Sequence, residues 1–185
     1  MKLEAKITIK KSSRRTISLT INDDGSLLVR APYFATTKQI NEFILSKQKW
    51  IQNSITKIRE RTHQAKRFEE LIDPNRINEY REKARSLLTE RTDYYSEKYD
   101  LPYLRIRINS AKTRWGSCNH KNGLNFNWKI LFAPPEVLDY LVVHELAHTI
   151  HKNHQKEFWN KVEFMHPSYK SSRKWLKDNQ YLLLI

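Results

Sequence analysis

A single cysteine, Cys118, stands among 185 residues. It excludes an internal disulfide and every metal site that needs paired thiolates, four-cysteine zinc ribbons included. No apolar run approaches the roughly 18 residues of a membrane span. The opening Met1-Lys2-Leu3-Glu4-Ala5-Lys6 also lacks the apolar stretch of a secretory signal. The expectation is a soluble, cytoplasmic protein with no membrane partner. Internal repeats and low-complexity segments are missing too, so the chain reads as one domain or two small lobes.

Positive charge is in excess: 34 Lys and Arg against 20 Asp and Glu give a formal net charge of +14, denser toward the N-terminus. Basic surface attracts phosphate backbones through counterion release. Lys10, Lys11, Arg14 and Arg15 are therefore candidates for non-specific nucleic-acid contact, with a solvated face as the plainer reading. Only 39% of residues are apolar, but 11% are aromatic, and aromatics bring enough burial each for a compact core.

The first third reads as strands followed by a helix. Ile7 and Ile9, then Ile17, Leu19 and Ile21, alternate with polar residues at the period of a half-buried strand. Asn22-Asp23-Asp24-Gly25 supplies a turn and Leu27-Leu28-Val29 resumes the sheet, a hairpin pattern. Thr36 with Gln39 resembles a capping box, and Ile40, Phe43, Ile44, Ile51, Ile55 and Ile58 recur at helical spacing. A helix over about 37–61 is expected, its charged tail from Arg59 to Glu70 serving as the linker. The lobes then span 1–70 and 71–185.

In the second lobe, Asp73-Pro74 opens an amphipathic helix toward Tyr99. Strands are expected over 103–109 and from Gly123 to Phe132, the latter an edge strand able to align an extended peptide. Pro134-Pro135 opens a helix to about Ile150, and two more helices follow over 155–165 and from about 167 to the end.

His144-Glu145-Leu146-Ala147-His148 is an HExxH pattern inside the strongest of these helices. Residues four apart lie about one turn apart on one face, so both imidazoles can reach one metal ion. Glu145, rotated about 100° from His144, stands beside such an ion as a base for metal-activated water. A catalytic zinc commonly takes three protein ligands. His151, His154, Glu157, Glu163 and His166 are the candidates for the third. In a continuing helix His151 would sit about 10.5 Å along the axis from His144, too far to share an ion. His154 works if the helix breaks at Lys152-Asn153, since asparagine tolerates the left-handed conformation of helix ends.

The spacing of His144, His148 and His154 equals the HExxHxxxxxH arrangement of several zinc peptidases. It departs from the metzincin pattern, which has glycine at the position of His151, and Met165 reads as core packing. Arg114-Trp115-Gly116-Ser117-Cys118, Leu124 to Trp128, Pro134-Pro135, Asp139 to His148, Asn153-His154 and Phe158-Trp159 closely resemble the YgjP-like metallopeptidase family. The likeness covers about 14–180 and extends to the related SprT-like zinc peptidases, some of which act on DNA-attached proteins.

The resemblance implies an α+β, zincin-like fold behind a small N-terminal ββα-type lobe. It also implies one zinc per chain on His144, His148 and His154, Glu145 as general base, and a peptide or protein substrate. Arg114, Asn125, Asn127 and Tyr169 are the candidate substrate contacts, with Arg114 or Tyr169 the candidate for stabilising an oxyanion. Gly116 permits close backbone approach, and Trp115 is read as a packing anchor. The rival readings are a nucleic-acid-binding module around a structural zinc and a DNA-associated protease. The oligomeric state is left open.

Overall fold

A computed structural model describes residues 6–22 and 24–184. Asp23 of the expected turn and the opening Met1 to Ala5 lie outside the described residues. The chain divides into two compact units, Met1–Lys66 and Arg67–Ile185, each mixed α and β.

In the first unit, strands β1 (Ile7–Ser12), β2 (Ser18–Ile21) and β3 (Leu27–Pro32) form a sheet of order β1-β3-β2. β2 and β3 are the expected hairpin, paired antiparallel, and β1 adds in parallel on the other side of β3. The central strand buries Leu27, Val29 and Ala31 on one face, as the two-residue period requires. Helix α1 (Thr37–Ser46) covers them with Ile40 and Ile44.

Thr36 caps that helix: its hydroxyl accepts from the Gln39 amide at 3.2 Å, and the Gln39 side chain accepts from the Thr36 amide at 2.9 Å. Such a box contributes about 1 kcal/mol. The expected single helix over 37–61 is instead two, broken at Lys47, and α2 (Gln48–Leu71) runs on through the segment read as a linker. Arg59 to Glu70 holds neither Gly nor Pro and is rich in straight-chain helix formers, so it stays helical without an apolar stripe.

In the second unit a short 3₁₀ turn, Pro74–Arg76, capped by Asp73, leads into α3 (Ile77–Tyr99). Strands β4 (Arg105–Asn109), β5 (Gly116–Cys118) and β6 (Gly123–Asn127) form a sheet of order β4-β6-β5. β6 is therefore not the expected edge strand. It pairs in parallel with β4 and antiparallel with β5, so both of its sides are occupied. It also stops at Asn127 rather than Phe132, because the Asn127 side chain accepts from the Lys129 amide at 3.0 Å and starts a 3₁₀ turn over Trp128–Phe132.

Helix α4 (Pro135–Ala147) is buried on almost every side, by Val137, Leu138, Tyr140 to Val143, Leu146 and Ala147. The Asp139 carboxylate accepts from Arg91 on α3 at 2.6 and 2.7 Å, fixing the helix near its start. Helices α5 (Lys156–Met165) and α6 (Tyr169–Asp178) and a closing 3₁₀ turn, Gln180–Leu184, complete the unit. No described helix is long and apolar enough to cross a membrane.

Candidate metal centre and active site

α4 carries His144 in its last turn and delivers His148 at its C-cap, where the backbone is still right-handed helical (φ −71°, ψ −10°). Both rings therefore leave the same face, their centroids 5.0 Å apart. The helix then stops. The Thr149 hydroxyl donates back to the Leu146 carbonyl at 2.7 Å, and the chain bends through Lys152 and Asn153. This break returns His154 toward the helix.

His154 Nε2 comes to 3.1 Å from His144 Nε2 and 3.2 Å from His148 Nε2. The three ligand atoms all lie within 4.8 Å of one another. Around them the tautomers are directed. His148 Nδ1–H donates to the His151 carbonyl at 2.8 Å, which leaves Nε2 as a lone pair. With Nε2 of His144 facing the same point, its Nδ1–H has the Tyr140 hydroxyl as acceptor at 3.3 Å. Burial pushes His144 down to about 3 and also lowers His148 and His154. Three neutral imidazoles with converging lone pairs are a donor set that fits a divalent transition metal.

Glu145 lines the same cavity as His144 and His154 and is only 4% exposed. Its Oε2 has no hydrogen-bond partner among the described residues. Burial pushes the carboxyl up to about 8, against the opposing positive charge of Arg114. A carboxylate held near neutral pKa is suited to taking and returning a proton. One wall beside it is Gly116 of β5, where the strand backbone passes the carboxylate.

An open cavity of about 570 Å³ joins these groups, lined by His144, Glu145 and His154 with Arg114, Trp159 and Arg173. Of the other sequence candidates, Tyr169 is buried and stacks behind Trp159 at 5.6 Å. Asn125 donates to the Ser117 carbonyl and hydroxyl, and Asn127 donates to the Ala111 carbonyl, so both amides serve the sheet and its loops. His166 lies 3.0 Å from the Glu136 carbonyl, and its ring is absent from the histidine cluster.

Met165 is core, as expected, and Trp115 is a buried anchor whose Nε1–H donates to the Leu176 carbonyl at 3.0 Å. Trp159 and Arg173 were not legible as site residues, because each reaches the cavity only through the packing of α5 and α6.

The sequence model of the family described as YgjP-like, metallopeptidase domain, matches residues 15–78 and 69–179. No curated protein matches the chain. Among solved structures, the metallopeptidase zymogen abylysin of Pyrococcus abyssi is 20% identical, with a TM-score of 0.46, covering 50% of this chain and 95% of that one. The metallopeptidase zymogen jannalysin of Methanocaldococcus jannaschii is 22% identical, with a TM-score of 0.44, covering 51% of this chain and 96% of that one.

Proposed function

Because the chain belongs to the YgjP-like metallopeptidase family, we propose that it hydrolyses peptide bonds at the three-histidine cluster, with one zinc per chain held by His144, His148 and His154. The observation that carries this reading is the meeting of three Nε2 atoms beside a buried carboxylate whose Oε2 is unpartnered. When bound, zinc supplies a Lewis acid that polarises the scissile carbonyl and acidifies water.

The chain's own residues do the rest. Glu145 accepts a proton from the attacking water on its carboxylate and returns it to the leaving amine. The His151 carbonyl and the Tyr140 hydroxyl hold the ligand rings in orientation. β5, which among the described residues pairs with β6 alone, takes over the role expected of the later strand: its outer side offers an extended peptide backbone pairing next to the cavity. A structural-zinc reading gives a buried carboxylate on an open cavity nothing to do.

Glu145→Gln tests the proposal, since it keeps the shape and removes the proton acceptor. Zinc content should be unchanged, while cleavage falls by at least about 10²–10⁴-fold. Undiminished cleavage by the zinc-loaded variant would overturn the mechanism.

A further inference from the structure

Two arginines line the cavity where the histidines and Glu145 meet, and Glu145 is the one acidic side chain on that lining among the described residues. Neither arginine has a described ion-pair or hydrogen-bond partner, although ion pairs occupy Arg76, Arg85 and Arg91 elsewhere in the unit.

Arg173, from α6, lies with its guanidinium carbon 4.3 Å from the centroid of the Trp159 ring. Trp159 in turn stacks on His154 at 5.5 Å, and its Nε1–H donates to the His154 carbonyl at 3.1 Å. The cation is thus seated on an aromatic plate attached to a ligand residue. Such stacking orients the fork and limits the entropy lost when it binds an anion.

The residues on either side of Arg114 are bonded to the segment that carries Arg173. The Thr113 carbonyl accepts from Gln180 at 2.6 Å, and Trp115 donates to the Leu176 carbonyl. Both arginines line the same cavity as His144, Glu145 and His154.

We infer that Arg173 and Arg114 form an anion-recognition subsite that selects peptides carrying a carboxylate beside the scissile bond. The inference rests on the peptidase reading above for the nature of the substrate. The planar guanidinium fork matches a carboxylate with two parallel hydrogen bonds. The carboxylate comes either from an acidic side chain or from the free carboxy terminus of the peptide, and the chemistry at the arginines is the same.

The test uses the zinc-loaded Glu145→Gln protein, which holds peptides without cutting them, and calorimetric titration with short extended peptides. Each peptide is made with Glu or Gln at one position, scanned along it, and with a free or amidated carboxy terminus. At one position or at the terminus, the charged form should bind about ten-fold more tightly than its neutral twin, as expected for a charge-assisted pair. Position dependence identifies a side chain, and sensitivity to amidation identifies the terminus.

Adding Arg173→Gln should collapse that ratio toward one with zinc content intact, Arg173→Lys should retain part of it, and Arg114→Gln should weaken it. Equal affinities for every pair, no binding by any peptide, or a ratio that survives loss of both arginines would overturn the inference. Cleavage assays with the unsubstituted protein separate the two proposals. Discrimination in binding without cleavage of any bound peptide sinks the peptidase reading and leaves the subsite standing, whereas cleavage indifferent to charge does the reverse.

Discussion

Gly116 and Glu145 are packed so closely that a Cβ placed on the glycine would lie 2.6 Å from Glu145 Oε1. The backbone of β5 is therefore one wall of the compartment that holds the proposed base.

Gly116→Ala should displace the carboxylate while leaving all three histidines in place. Misplacing a reacting group by about 1 Å can cost on the order of 10²-fold in rate, and overpacking costs about 1–3 kcal/mol of stability. Zinc content, cleavage rate and thermal midpoint measured on one preparation should show retained metal, a rate down by roughly that factor and modest destabilisation. An alanine variant with normal cleavage would mean that the carboxylate has room to spare.

Replacing His154 by alanine should leave the fold standing, because the side chain is exposed and its loop is outside the core. Zinc affinity should fall by more than the roughly 10–100-fold that loss of a ligand's outer partner costs. Competition with a chromophoric chelator measures it. Unchanged affinity would remove His154 as the third ligand.

The Arg91–Asp139 pair joins α3 to the start of α4 by two short hydrogen bonds, with side chains 28% and 20% exposed. Asp139→Ala strands the guanidinium in a half-buried position. The expected loss is about 1–2 kcal/mol, between the value of an exposed pair and that of a buried charged hydrogen bond. A double-mutant cycle with Arg91→Ala, read by urea denaturation, should return a coupling of that order.

Burial and the 2.7 Å hydrogen bond to Asp93 push the Tyr103 hydroxyl up to about 12. From pH 10 to 12 the folded chain keeps this proton while the unfolded chain releases it, so stability is full below pH 10 and declines as pH rises through that window. Tyr103→Phe should flatten the alkaline decline. Tyr140, pushed up to about 12 by burial, acts in the same sense and stays in the variant. The slope of melting temperature against pH should therefore shrink without vanishing. An unaltered slope would exclude Tyr103 as a contributor.

What could be read from the chain was what depends on near neighbours. The Thr36–Gln39 cap, the strand alternation of Leu27 and Val29, and the facing of His144 and His148 all follow from the helix or strand period. The return of His154 could be anticipated because His151, seven residues along an unbroken helix from His144, is too far to share an ion, and Lys152-Asn153 offers a break.

What failed depends on packing between distant segments. The strand at Gly123 reads the same in the middle of a sheet as at its edge, and only the partners β4 and β5 decide. The segment from Arg59 to Glu70 has no apolar stripe, so its helix rests on residue preference rather than on a face. Arg173 became visible only when α6 folded back beside α4.

The near-complete burial of α4 bears on the order in which the working protein comes into being. Two of the three histidines ride on the central strut of the unit, whose apolar contacts depend on no ion, so their rings stand side by side in the newly folded chain. If the cluster holds the proposed zinc, folding should therefore precede its capture, unlike in small metal-nucleated domains, where the ion organises the chain. On the metal-site reading proposed above, the metal-free protein should therefore keep its fold when the ion is removed.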